Sequence, residues 1–294
     1  MMLLIEKYIK YLRYEKNYSL HTEISYSNDL RQFHDFIGSH FSDVEIKTID
    51  SDIIRMWIVS LMEEKNSPRS VNRKLSTLKS FFKYLLRIGE ATTNPAKKIV
   101  GPKTSKPIPV FVSDKDIEKI LDEDTPDDFE HIRNKIITEL FYTTGIRRAE
   151  LIGLKNTDID FYSRTILVTG KRNKQRIIPL SDNMINSLHT YLEIRDKSTS
   201  EQSEHLFVRE NGQPLYPMLA HRIISEKLGQ ITTLSKTSPH ILRHTFATSM
   251  LNNGADINAV KELLGHSSLA ATEIYTHTSF EELKKIYNKA HPRA

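Results

Sequence analysis

Hydrophobic positions recur at helical spacing through the first hundred residues. Leu4, Tyr8 and Leu12 fall four apart, and Tyr26, Leu30, Phe33 and Ile37 continue the period after Ser19, which suits an N-cap. Ile54, Ile58 and Leu61 mark a third helix. A fourth opens at Ser67-Pro68, a cap followed by proline at the first helical position, and carries Val71, Leu75, Leu78, Phe82 and Leu85 as one apolar stripe. Arg69, Arg73, Lys83 and Arg87 form a second stripe on the same helix, with Ser76 and Ser80 in its gaps. The two stripes are offset by two residues, about 200° around a helix of 3.6 residues per turn. One face is therefore built to pack, and the opposite face offers cations and hydroxyls. Gly89 and Asn94-Pro95 end the helix, and residues 101–109, with Pro102, Pro107 and Pro109 between lysines, read as an extended linker.

Beyond the linker the pattern mixes. Ser113 caps a helix with Asp116 three residues on, and Ile136, Leu140 and Tyr142 lead a second towards Gly145. Residues 165–168 and 175–179 read as short strands joined by the basic turn 170–174, and Asn211-Gly212 marks a tight turn. From Pro239 onward the spacing is helical again. The predicted fold class is mainly α with a small antiparallel β-sheet in the C-terminal domain. The predicted division is a helical domain over 1–100, a linker over 101–109 and a larger domain over 110–294.

Composition narrows the function classes. A chain of 294 residues with 38% hydrophobic and 27% charged residues suits two globular domains. No apolar run has transmembrane length and no cationic-then-apolar leader follows Met1, so a protein of the cytoplasm with no membrane partner is expected. The absence of cysteine rules out disulfides, thiol nucleophiles and cysteine-ligated metals. The formal charge of +5 is unevenly placed: from Lys65 to Lys106 eleven Lys/Arg face one acid, Glu90. Such a concentration points to a polyanion, most often nucleic acid.

Nucleotide loops of the GxxxxGK[ST] kind and glycine-rich dinucleotide fingerprints are missing, so no cofactor is expected. His240 and His244 stand four apart, but Ile241 occupies the position where a zinc-peptidase helix needs its glutamate, and no metal site is assigned. His240 and Arg243 are three apart and so share a helix face. Arg147 follows Gly145 with Glu150 one turn on, Lys171 lies at the tip of the basic hairpin, His266 follows Gly265, and Tyr275 comes nine residues later. Singly, each has an ordinary structural reading. In order they make a set: Arg, Lys, His-x-x-Arg, Gly-His, Tyr.

With these residues the sequence resembles the tyrosine recombinases, in particular the Xer-type subgroup. The resemblance is carried by Gly-Ile-Arg-Arg-Ala-Glu-Leu (145–151), Gly-Lys-Arg-Asn-Lys-Gln-Arg-Ile-Ile-Pro-Leu (170–180), His-Ile-Leu-Arg-His-Thr-Phe-Ala-Thr (240–248) and the run from Leu264 to His277. Arg172 stands where the family's turn usually has glycine. The resemblance implies a C-shaped clamp on DNA, with a SAM-like core-binding domain and a catalytic domain. It implies Arg147 and Arg243 as phosphate clamps, Lys171 as the hairpin lysine, His240 and His266 as site histidines, Tyr275 as nucleophile and Glu150 as support for the first arginine. His240 is assigned as base, and Lys171 as proton donor to the departing 5′ oxygen. Arg69, Arg73, Lys74, Lys79, Lys83, Arg87 and Arg172 are the candidate DNA contacts. The implied partners are double-stranded DNA carrying paired short recombination sites and a homo- or hetero-tetramer assembled on it. The face Phe280, Leu283, Ile286 and Tyr287 of the last helix is expected to dock on a neighbouring protomer. A paralogous recombinase and a septal DNA translocase are candidate partners for chromosome dimer resolution; integration or inversion of a mobile element is the alternative. Two other classes share part of this pattern: a DNA-binding architectural protein that does no chemistry, and a type IB topoisomerase.

Overall fold

A computed structural model describes residues 1–41, 44–104, 111–123, 126–170, 173–199, 203–230, 237–265 and 277–294. The chain divides into two compact units, Met1–Pro107 and Ile108–Ala294, each with its own hydrophobic core.

The first unit is helical: α1 (Met2–Tyr14), α2 (Leu20–His40), α3 (Ser51–Glu63) and α4 (Pro68–Arg87). Local chemistry sets the starts. The hydroxyls of Ser19 and Ser67 accept from the backbone N–H of Thr22 and Ser70, in the first turns of α2 and α4. All five residues of the α4 apolar stripe are buried. They pack with Tyr8, Phe33 and Trp57, and the Trp57 ring meets Phe33 edge-on at 5.0 Å.

The basic side of α4 is less open than its sequence suggests. Lys74 is buried, with its ammonium 3.3 Å from an Asp29 oxygen and also donating to Gln32. The expectation that Lys74 faces solvent as a DNA contact is therefore corrected: position 74 lies between the two stripes, and the buried carboxylate of Asp29 on α2 draws it inward. Asp29 also accepts from Arg73 and from the Thr77 hydroxyl at 2.9 Å. The Lys79 ammonium donates to the Ile99 carbonyl at 2.9 Å, and Asn72 donates to the Pro102 carbonyl at 2.8 Å. These two bonds hold residues 99–102 along α4.

The second unit surrounds α6 (Phe129–Thr144), which packs against α8 (Asp182–Ser198), α9 (Pro217–Gly229), α10 (Pro239–Asn252) and α5 (Asp114–Leu121). A three-stranded antiparallel sheet runs β1 (Ile159–Asp160), β2 (Thr165–Thr169), β3 (Gln175–Pro179) in spatial order. The sequence pattern predicts only the last two strands, because two residues are too few to display an alternation. In β2 and β3, Ile166 faces Ile178 and Val168 faces Arg176, so the arginine sits on the core side of the sheet. The short α7 (Arg148–Ile152) and α11 (Ile257–Leu264) complete the site region. No helix among the described residues is long and apolar enough to cross a membrane.

In the chain on its own, the last helix, α12 (His277–Ala290), packs against α10 and β3, with Leu283, Tyr287 and Ala290 buried in the core of its unit. His291 locks the end. Its ring stacks on Tyr287 at 5.3 Å and meets Tyr142 at 5.0 Å. The Arg293 N–H donates to Nδ1, which leaves the proton on Nε2 to be donated to the Tyr142 carbonyl at 3.3 Å. Burial pushes the imidazole pKa down to about 4.

Two outcomes follow from these packing arrangements. Asp29→Ala strands Lys74 as a buried cation and lowers stability by about 3 kcal/mol, and adding Lys74→Met recovers most of the loss. Urea unfolding read by Trp57, the single tryptophan, checks this. For His291 the unfolded chain binds a proton below about pH 6.5 and the folded chain only below about pH 4, so stability falls as pH drops between these values by about 1.4 kcal/mol per unit. Above that window the histidine is neutral in both states and contributes no slope. His291→Gln removes this component, measured by urea unfolding of the second unit across the pH range.

Candidate functional site

Two of the candidate residues, Arg147 and Arg243, meet at the C-terminal end of α11. There the last carbonyls of a helix lack intrahelical donors and carry the negative end of its dipole. Three successive ones each accept from a different arginine. Leu263 accepts from Arg176 Nε at 2.7 Å, Leu264 from Arg243 Nη2 at 2.7 Å, and Gly265 from Arg147 Nη2 at 3.1 Å. The three guanidiniums come from β3, α10 and the residue preceding α7, so the end of α11 joins three elements distant in sequence.

Glu150 is the carboxylate at this point. It accepts from Arg147 twice, through the backbone N–H at 2.9 Å and Nη1 at 2.7 Å, which also caps α7. Arg176 meets the same carboxylate with two nitrogens, at 3.1 and 2.8 Å. Burial alone would raise the Glu150 pKa; Arg176, and then Arg147, outweigh it and hold the carboxyl below its usual range. Arg243 is buried and donates Nη1 to the Gly145 carbonyl at 2.6 Å. Its desolvation, with Arg147 and Arg176 nearby, pushes its pKa down to about 10, so it stays a cation at neutral pH. Three guanidiniums thus face one carboxylate, which leaves positive charge to spare. Arg147 remains partly exposed, and among the described residues only two of its five N–H donors are engaged.

His240 sits on α10 one turn before Arg243 and is accessible at the surface. Partial desolvation, followed by the nearby Arg148 and Arg243, pulls its pKa below the usual imidazole value. Lys171, His266 and Tyr275 lie outside the described residues, as does Arg172. Their neighbours Gly170 and Gly265 are described, and both abut the Glu150–Arg176 pair: a Cβ at Gly170 would stand 3.1 Å from a Glu150 oxygen, and one at Gly265 3.1 Å from Arg176.

Of the candidate DNA contacts on α4, Arg69 and Lys83 are exposed. Arg73 reaches Ser25 at 2.5 Å as well as Asp29. Arg87 pairs with Glu15 at 3.3 Å and lies over the Tyr11 ring at 5.1 Å. Nothing in the motif spacing singles out Arg176. The one available signal is its place in the strand: it shares a face with Ile178, where an unpaired charge would be costly.

Known proteins share this sequence and fold. The phage integrase family domain matches residues 111–282, and the phage integrase N-terminal SAM-like domain matches residues 5–89. A tyrosine recombinase XerC from Oceanobacillus iheyensis is 38% identical over 301 residues, covering 99% of this chain and 97% of that protein. One from Chlorobaculum tepidum is 34% identical, covering 98% and 94%. The solved structure of the XerH site-specific recombinase bound to palindromic difH substrate, a post-cleavage complex, matches with a TM-score of 0.73 at 25% identity, over 96% of this chain and 82% of that one. The Tn1549 transposon integrase, at 18% identity and a TM-score of 0.73 over 96% of this chain and 98% of that one, shares the fold. The chain belongs to the phage integrase family of tyrosine recombinases.

Gly145, which ends α6 with φ +59°, is held between α10 and α11: a Cβ there would lie 2.7 Å from both Phe246 and Leu264. Gly145→Ala combines backbone strain with overpacking beneath the carbonyl that holds Arg243. Stability falls by about 3 kcal/mol, as measured by urea unfolding of the second unit.

Proposed function

We propose that this protein is a site-specific recombinase of the Xer type, which cuts and rejoins DNA through a 3′-phosphotyrosyl intermediate and resolves chromosome dimers. The observation that carries the reading is the meeting of Arg147 and Arg243 at the end of α11, with His240 one turn before Arg243 on the same helix. Guanidiniums offer fixed donors that match phosphate oxygens, and they serve best where charge develops during the reaction. Arg147 and Arg243 hold the non-bridging oxygens of the scissile phosphate, and His266 hydrogen-bonds the same group. The phenol oxygen of Tyr275 attacks phosphorus and gives up its proton to His240. The bond from phosphorus to the 5′ oxygen breaks, and Lys171 donates the proton that makes the 5′ hydroxyl. One phosphoester replaces another, so religation by a 5′ hydroxyl of the partner strand needs no nucleotide energy source.

DNA is the partner in this reading, bound by the accessible cations of α4 (Arg69, Arg73, Lys83 and Arg87), with Arg172 beside the site. Lys79, on the same helix, keeps its ammonium on the Ile99 carbonyl. Four protomers assemble on two short sites and pass through a Holliday junction. A paralogous recombinase, a septal DNA translocase and residence in the cytoplasm belong to the same proposal.

Incubation with a nicked suicide duplex carrying candidate sites tests it. The protein forms a covalent adduct that maps to Tyr275 and a defined cut position, and Tyr275→Phe forms none. An adduct on duplexes of any sequence would instead indicate a relaxing enzyme. With His240 as base, the single-turnover cleavage rate holds steady through neutral pH and falls only at a pH below the ordinary imidazole value, because protonation removes the acceptor and the His240 pKa is lowered. In His240→Gln that inflection is gone.

A further inference from the structure

We infer that Arg176 is a positioning residue for strand cleavage, acting through Glu150 and the end of α11 to fix the phosphate-clamping face of Arg147. This rests on the roles proposed above for Arg147 and Tyr275.

Arg176 is one of the few charged residues in the core, and all three of its nitrogens donate. Two nitrogens go to the two oxygens of Glu150, at 3.1 and 2.8 Å, and Nε goes to the Leu263 carbonyl at 2.7 Å. The planar guanidinium therefore ties three segments together in one plane: β3, the start of α7 and the last turn of α11. Both Glu150 and Arg176 side chains are nearly inaccessible to water, at 4% and 6% exposure, so this geometry does not exchange with solvation.

The consequence for Arg147 is geometric. Glu150 Oε1 is shared: Arg176 Nη1 and Arg147 Nη1 both donate to it. If Arg176 were absent, the carboxylate would be free to rotate onto Arg147, its remaining cationic partner. It would then take up guanidinium donors that a phosphate needs and neutralise part of the charge offered to it. With Arg176 present, the carboxylate is held by two bonds, and among the described residues Arg147 makes one Glu150 bond from its side chain and one Gly265 bond, with its other donors turned to no described partner. Arg176 also packs under Gly265, and Glu150 under Gly170, each close enough that a Cβ would press on the pair at 3.1 Å. These are the residues next to His266 and Lys171. The pair thus lies beneath three of the segments that carry the proposed chemistry without itself reaching a substrate.

The test separates positioning from folding and from the functional reading. Arg176→Lys keeps a cation but loses the second bond to the carboxylate. Arg176→Met loses both charge and bonds. Single-turnover cleavage of the nicked suicide duplex is measured beside equilibrium binding of the same intact duplex and the urea midpoint of the second unit. Arg176→Lys is expected to lower the midpoint yet stay folded in the absence of urea, and to bind within about threefold of the parent while cleaving about 100-fold more slowly, the scale expected when a catalytic group is misplaced by an ångström. Arg176→Met is expected to cleave about 1000-fold more slowly, and adding Glu150→Gln to it restores part of the rate, since a neutral amide no longer competes for Arg147. Cleavage by a folded Arg176→Lys within threefold of the parent would overturn the inference. So would a fall in binding equal to the fall in cleavage, or a double variant no faster than Arg176→Met. If the parent itself forms no Tyr275 adduct, the functional reading fails first, which is a separate result.

Discussion

The second unit depends on one arrangement: the negative end of a two-turn helix placed where three arginines can reach it. Each of the carbonyls of Leu263, Leu264 and Gly265 accepts from a guanidinium that belongs to a different element. Cations that would repel one another in a low-dielectric interior are made tolerable by that helix end and by Glu150. The same arrangement keeps charge in excess of its compensation, and an uncompensated cationic surface is what a phosphodiester would meet. In the proposed reaction, stability and chemistry therefore draw on the same contacts at Arg243, Arg147 and Glu150.

Much of this architecture is legible in the sequence, and the legible part is local. Ser19, Ser67 and Ser113 cap the helices that their positions announce, because a cap bonds within three residues of itself. The five-residue stripe of α4 is buried as its spacing predicts. The order of polar residues from Arg147 to Tyr275 points to the family, and comparison with known proteins places the chain there.

What the pattern conceals depends on partners far along the chain. Asp29 and Lys74 are 45 residues apart, and Glu150 and Arg176 are 26 apart, so neither pair leaves a periodic trace. An alternating strand reads the same whether its buried face carries isoleucine or arginine. An apolar stripe such as Leu283 and Tyr287 shows that a surface is covered and says nothing about which molecule covers it. Here the surface belongs to the same unit, and His291 completes it with both ring nitrogens satisfied.

The buried lysine of α4 has a consequence for how the charge run from Lys65 to Lys106 is understood. Lys74 already has its counter-ion, the Asp29 carboxylate, whereas Lys79, bonded to a neutral backbone carbonyl, keeps its charge. A cation neutralised from within displaces no condensed sodium or potassium from a duplex, and each one missing removes about 0.9 from the slope of log affinity against log salt. The N-terminal unit should accordingly hold its grip over a wider range of ionic strength than a count of its basic residues implies. Its lysines serve partly as mortar between helices.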